Sequence, residues 1–175
     1  ALPISSAQFS PDSKQIAYIG KKIPSINNVQ ICDFVITPET DADQSPFQDL
    51  YVLDMASGQS QPCTEHHLAI SQFCWTAEGT GWLLIANDRQ YGSGTQNRIY
   101  RIEKDSADDS WECTVLTPDT DVQIGNFILN DIKMSAARPG PIVSSDGQFA
   151  YVIGTYKGSA QIYRIHLQQP GKLQA

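Results

Sequence analysis

Three acidic side chains stand at matching places in this 175-residue chain: Asp12, Glu78 and Asp146, each within a polar turn between two apolar runs. Paired carboxylates can act as general acid and base, which for glycoside hydrolysis requires a separation of roughly 5–9.5 Å. One carboxylate per repeat puts them a whole structural unit apart. The recurrence therefore points to a turn role, in which the acidic side chain accepts backbone N–H groups. The next position favours glycine, because a left-handed backbone costs a residue that carries a Cβ. Gly79 and Gly147 meet that demand and Ser13 does not. Asp12, Glu78, Gly79, Asp146 and Gly147 are accordingly read as structural turn residues.

Other groups capable of chemistry are scattered. His66 and His67 adjoin and His166 lies far along the chain, so a metal site would need ligands from different units; solvent-facing or junction histidines are the plainer reading. Gly92-Ser93-Gly94 lacks the Gly-x-Ser-x-Gly spacing and the strand-to-helix setting of a nucleophile elbow. It reads as a hairpin loop, and Gly158-Ser159 as a turn. Cys32, Cys63, Cys74 and Cys113 form no Cys-x-x-Cys pair, which fits reduced, mostly buried thiols and a cytoplasmic location; a disulfide between units, for instance one involving Cys63 and Cys74, stays open. Arg98, Arg101 and Arg164 flank tyrosines and read as out-facing strand charges, with substrate termini or a neighbouring domain as the other use. No catalytic, cofactor-binding or metal-ligating residue is assigned, and no cofactor is expected.

The elements that position these residues repeat three times. Phe9-Ser10-Pro11-Asp12-Ser13-Lys14 leads to Ile16-Ala17-Tyr18-Ile19, Trp75-Thr76-Ala77-Glu78-Gly79-Thr80 to Trp82-Leu83-Leu84-Ile85, and Val143-Ser144-Ser145-Asp146-Gly147-Gln148 to Phe149-Ala150-Tyr151-Val152-Ile153. Each copy then reaches a tyrosine-centred run around Tyr51, Tyr100 or Tyr163. Such self-similarity marks a repeat architecture. In the first unit, strands are expected over Ile4 to Phe9, Ile16 to Ile19, Leu50 to Asp54 and Gln61 to Thr64, and Leu116-Thr117 plays in the second unit the part of Cys63-Thr64. The third unit begins around Val122, passes through an irregular stretch from Asn126 to Pro141, and has its fourth strand begin near Lys172-Leu173.

A long insertion, roughly Gly20 to Gln48, carries Pro24, Pro38 and Pro46 and one strand-like run, Val29 to Ile36. Connections beyond about 12–15 residues are uncommon in compact domains. Trp75, Tyr51, Tyr100 and Tyr163 keep register with the repeat and are expected to pack between units, while Trp111 falls outside it as a single exposed aromatic. Apolar residues alternate or run in short groups with no useful helical period, so the fold class is all-β. Hydrophobic content of 41% is ample for a core, while a net charge of −7 argues against a nucleic-acid surface. No apolar run approaches the roughly 20 residues of a membrane span, and no membrane partner is expected.

The motif at Phe9-Ser10-Pro11-Asp12-Ser13-Lys14, followed by Asp49-Leu50-Tyr51-Val52-Leu53-Asp54 and Ser57-Gly58, resembles the propeller repeat shared by the Tol-system periplasmic protein and the prolyl oligopeptidase family of serine peptidases. A second stretch looks like the late propeller blades of the acylaminoacyl-peptidase branch of that family: Leu116-Thr117-Pro118-Asp119, Gly125, Asn130-Asp131, Pro139-Gly140-Pro141, Ser144-Ser145-Asp146-Gly147, Tyr151, Lys157-Gly158-Ser159 and Ile162-Tyr163-Arg164. The resemblance implies a β-propeller fragment of about three four-stranded antiparallel blades, with units at approximately 1–65, 66–121 and 122–175. Closed propellers use about 4–8 blades, so the chain is expected to be an excised part of a larger protein.

In that family a C-terminal α/β-hydrolase domain holds the catalytic Ser, Asp and His, and the propeller screens peptide substrates by size. That domain lies outside this chain, so the expected role is substrate gating and docking, without peptidase activity of its own. The alternatives are a Tol-type periplasmic protein-binding propeller and a metal-dependent propeller lyase of the kind that acts on oligogalacturonate.

Overall fold

The computed structural model describes residues 4–21, 48–64, 68–105, 110–125, 140–169 and 171–175. The strand expected at Val29 to Ile36, with Cys32, His66, His67 and residues 126–139, lies outside the described residues. The described residues form three antiparallel sheets. The first holds β1 (Ile4–Phe9), β2 (Gln15–Lys21), β3 (Gln48–Asp54) and β4 (Ser60–Pro62) in chain order. The second holds β5 (Ala69–Trp75), β6 (Gly81–Asn87), β7 (Arg98–Lys104) and β8 (Trp111–Val115), again in order. The short fourth strand of the first sheet ends before Cys63, and β8 before Leu116; in both, the following Cys-Thr or Leu-Thr pair closes the sheet by one backbone bond and one threonine hydroxyl, described below.

The third sheet departs from the expected four strands. β9 (Gln123–Ile124) and β10 (Ile142–Val143) both pair with β11 (Phe149–Tyr156), which continues to β12 (Ser159–His166) and β13 (Leu173–Gln174). β9 and β10 are the two halves of one interrupted first strand. The register explains the site of the break. Ile4 pairs with Gly20 and Ile70 with Ala86, and in both sheets the pairing shifts by one residue immediately afterwards. Ile124 pairs with Gly154 at the same position, where β9 ends, and the ladder to β11 resumes with β10 at Ile142. A bulge already takes one residue out of the ladder, so an interruption at that point disturbs no further pairing.

Alternation gives each strand two faces, and both faces of the middle sheet are covered. Trp82, Leu84 and Ala86 of β6 join Ala17, Ile19, Leu50 and Val52 of the first sheet in one apolar cluster. Leu83 and Ile85 join Ala150, Val152, Tyr163 and Ile165 of the third sheet in another. The sheets thus stack like successive blades of a propeller, with β6 buried on both sides. No helix among the described residues is long and apolar enough to cross a membrane.

Candidate functional site

The blade turns are built from a hydroxyl and a carboxylate. Ser10 Oγ donates to Asp12 Oδ1 at 2.7 Å and accepts from the Gln15 N–H at 2.9 Å, while Asp12 Oδ1 also accepts from the Lys14 N–H at 3.1 Å. The third turn repeats this: Ser144 Oγ donates to Asp146 Oδ1 at 2.5 Å and accepts from Phe149 N–H at 2.9 Å, with Gln148 N–H on Asp146 at 3.0 Å. The Ser10 hydroxyl and Lys14 N–H hold the Asp12 carboxyl below the ordinary range, and the Ser144 hydroxyl and Gln148 N–H do the same to Asp146. The middle turn keeps only half of the device. Thr76 Oγ1 accepts from Gly81 N–H at 3.2 Å, and the Glu78 carboxylate, one methylene longer, makes no hydrogen bond among the described residues.

Ser13 adopts φ 60 despite its Cβ, matching Gly79 at φ 70 and Gly147 at φ 68. Glycine serves a second purpose at the two inner turns. A Cβ on Gly79 would stand 3.0 Å from Pro11, and one on Gly147 would stand 3.0 Å from Glu78 and 3.4 Å from Ala77. Each turn therefore rests on the turn of the preceding blade. The hydroxyl position Ser10, Thr76, Ser144 went unread in the sequence, although its recurrence just after each first strand was the available signal.

Trp75, Tyr100 and Tyr163 are buried at blade junctions, whereas Tyr51 is half-buried and stacks on Tyr18 at 5.3 Å. Trp111 is not a lone exposed ring: it lies 4.9 Å from Trp82, which in turn lies 4.8 Å from Trp75. Arg101 departs from the out-facing reading as well. Its guanidinium bonds Glu103 at 3.2 Å and donates to the Leu167 carbonyl of the third blade at 3.3 Å, so it crosses a junction. Arg98 donates to the Pro118 carbonyl. Arg164 occupies the outward face of the third blade, donating to Gln174 at 2.9 Å and lying 5.2 Å from the centre of the Phe149 ring.

Around Arg164 opens a recess of about 470 Å³ lined by Phe149, Arg164, His166, Gln169, Lys172 and Gln174. His166 Nδ1 accepts from Gln168 N–H at 3.1 Å, and its ring stands edge-on to Phe149. The recess offers cationic groups, amides and an aromatic wall, but no nucleophile held by a base. Among the described residues no three His, Cys, Asp or Glu side chains gather in a way that could hold a metal ion. Cys63, Cys74 and Cys113 are free thiols, and of the three expected to be mostly buried Cys63 is buried, Cys74 half-buried and Cys113 exposed; burial pushes Cys63 and Cys74 up to about 12, so thiolate chemistry at these two is suppressed at neutral pH. Gly92–Gly94 forms a single 3-10 turn in the β6–β7 loop, and Gly158 turns the β11–β12 hairpin. The arrangement can bind and pack; it holds no catalytic constellation among the described residues.

No protein-family model matches the chain. Over 84 residues, 47% of the chain, it is 32% identical to the uncharacterized peptidase YuxL of Bacillus subtilis, and the match spans 12% of that protein's length. Among solved structures it is similar to a putative TolB from Agrobacterium tumefaciens, with TM-score 0.59 and 17% identity over 99% of this chain and 48% of that one. It is also similar to TolB from Acinetobacter baumannii, with TM-score 0.52 and 14% identity over 94% of this chain and 30% of that one. These likenesses establish the fold as the all-β propeller type.

Proposed function

We propose that the chain is the non-catalytic propeller part of an acylaminoacyl-peptidase-like serine hydrolase of the prolyl oligopeptidase family, acting in the cytoplasm. In this reading the blades gate peptide substrates and dock a C-terminal α/β-hydrolase domain of the same protein. The observation that carries it is the 32% identity to a peptidase-named protein over 84 residues. The motifs from Leu116 to Arg164 support the acylaminoacyl-peptidase branch in particular.

The test has two parts. The purified chain is assayed on acyl-peptide and chromogenic substrates, with no hydrolysis expected, and the coding sequence downstream of Ala175 is read, with a Gly-x-Ser-x-Gly elbow expected. Hydrolysis abolished by a serine-directed phosphonate would contradict the non-catalytic role. A second reading, a Tol-type periplasmic protein-binding propeller, is supported by the likeness to two TolB structures. It requires a secretory signal upstream of Ala1 and no hydrolase domain downstream.

A further inference from the structure

The fourth strand of a blade has a strand neighbour on one edge only, and the first two blades treat the other edge differently. In the second blade β8 is five residues long, ends its sheet, and pairs without a shift to β7, from Val115 opposite Tyr100 to Trp111 opposite Lys104. Backbone bonds flank this ladder at both ends: Leu116 N–H donates to the Ile99 carbonyl at 2.8 Å and Asp105 N–H to the Ser110 carbonyl at 2.8 Å. In an antiparallel ladder hydrogen-bonded pairs alternate with unbonded ones. Glu112 and Thr114 therefore turn their peptide groups toward β7, while Trp111, Cys113 and Val115 turn theirs away from the blade. Glu112 and Cys113 are exposed.

The first blade blunts the same edge. Its fourth strand, β4, has three residues, and the Cys63-Thr64 pair that closes it is the counterpart of Leu116-Thr117. Pro62 thus stands where Val115 stands, on an outward position of the strand. Proline has no N–H to offer, and outward proline is one of the devices that keep a free edge from pairing. β8 carries neither a proline nor a bulge, and Glu112 is its one charged residue. It lies in the blade that is flanked on both faces, so its edge owes nothing to where the sequence begins or ends.

We propose that β8 pairs edge to edge, antiparallel, with β8 of a second copy of this chain about a twofold axis at Cys113. The run Trp111-Glu112-Cys113-Thr114-Val115 is complementary to itself in that register. Cys113 meets its own copy and Trp111 meets Val115 of the other copy, all in hydrogen-bonded pairs, so every outward N–H finds a carbonyl. Trp111 and Val115 both pack on the apolar cluster between the first two blades, which puts them on one face of the sheet. An aromatic opposite a β-branched residue is a favourable cross-strand pair. On the other face Glu112 meets Thr114. A register one residue earlier would set Glu112 against Glu112, a like-charge pair. One residue later, Trp111 would stand opposite Thr117, which is buried and already bonded to Ile99 of β7.

A twofold contact uses the same patch on both copies, so it closes as a dimer and does not propagate. The proposal stands on the second blade alone and goes beyond both the peptidase and the Tol-type readings, so either can fail without the other.

Native mass spectrometry and light scattering on the chain are expected to show a dimer. The twofold sets the two Cys113 Cα atoms about 5.5 Å apart, inside the range of roughly 4.4–6.8 Å that a disulfide bridges. Oxidation by dioxygen with copper phenanthroline, which removes two electrons and two protons as the S–S bond forms, is expected to give a dimer cross-linked at Cys113, located by peptide mass spectrometry. Cys113→Ser is expected to stay dimeric without cross-linking. Cys113→Pro removes an N–H that makes no bond inside the blade, and Cys113→Lys sets two like charges across the axis. Each is expected to give a monomer with the far-UV circular dichroism of the unsubstituted chain; if the proline variant does not fold, the lysine variant decides. A monomeric unsubstituted chain, association that persists in Cys113→Lys, or a cross-link through another cysteine instead of Cys113 would overturn the proposal.

Discussion

At Asp146 one carboxylate gathers the Ser144 hydroxyl and the Gln148 N–H, and both bonds favour the charged form. A folded-state value below the ordinary aspartate value of about 3.9 means that the charged carboxylate stabilises the fold above that pH. The contribution is lost as pH falls through the lower folded value. Asp146→Ala is therefore expected to lower the urea midpoint at pH 7, with the gap to the unsubstituted protein narrowing below about pH 4. Glu78→Ala should leave the urea midpoint at pH 7 close to that of the unsubstituted protein, since its turn is held by Thr76. An Asp146→Ala penalty equal at pH 7 and pH 2.5 would show that the charge is not what holds the turn.

At the level of the strand, closure falls to a threonine two residues beyond the end of the fourth strand. Thr64 Oγ1 accepts from Leu50 N–H at 3.0 Å and Thr117 Oγ1 from Ile99 N–H at 3.0 Å, while the preceding Cys63 and Leu116 donate their N–H groups to the same Leu50 and Ile99 carbonyls at 2.7 and 2.8 Å. The hydroxyl extends the ladder one step beyond the last backbone pair. Thr117 is buried, so Thr117→Val is expected to leave the Ile99 N–H unpaired and to cost about 1–3 kcal/mol. Chemical denaturation measures this, and Thr117→Ser, which keeps the oxygen, should recover most of the loss. The bulge after Ile4 and Ile70 belongs to the same scale. It recurs at equivalent places, and the third blade turns it into the break between β9 and β10.

For the molecule as a whole, β6 is the shared wall of two cores. Leu83 and Leu84 are both fully buried, yet Leu84 packs in the cluster with the first blade and Leu83 in the cluster with the third. Truncating either to alanine is expected to cost about 2–5 kcal/mol. In a stack where each blade touches only its neighbours, the loss should be local. Amide hydrogen exchange should quicken in the first sheet for Leu84→Ala and in the third for Leu83→Ala. Equal acceleration in both sheets would mean that the three blades open as one unit.

The chain's own pattern settled the all-β class, the threefold repeat and most strand positions, because alternation of apolar residues and turn chemistry are local properties written along the backbone. The tyrosine register and the carboxylate turns at Asp12 and Asp146 were legible for the same reason. Only the tertiary structure decided that Arg101 spans a junction, that Trp111 belongs to a tryptophan cluster, and that Glu78 yields its role to Thr76. Each of these depends on which residue of another strand or blade comes within a few ångströms, a distance that stacking sets and that spacing along one chain does not encode.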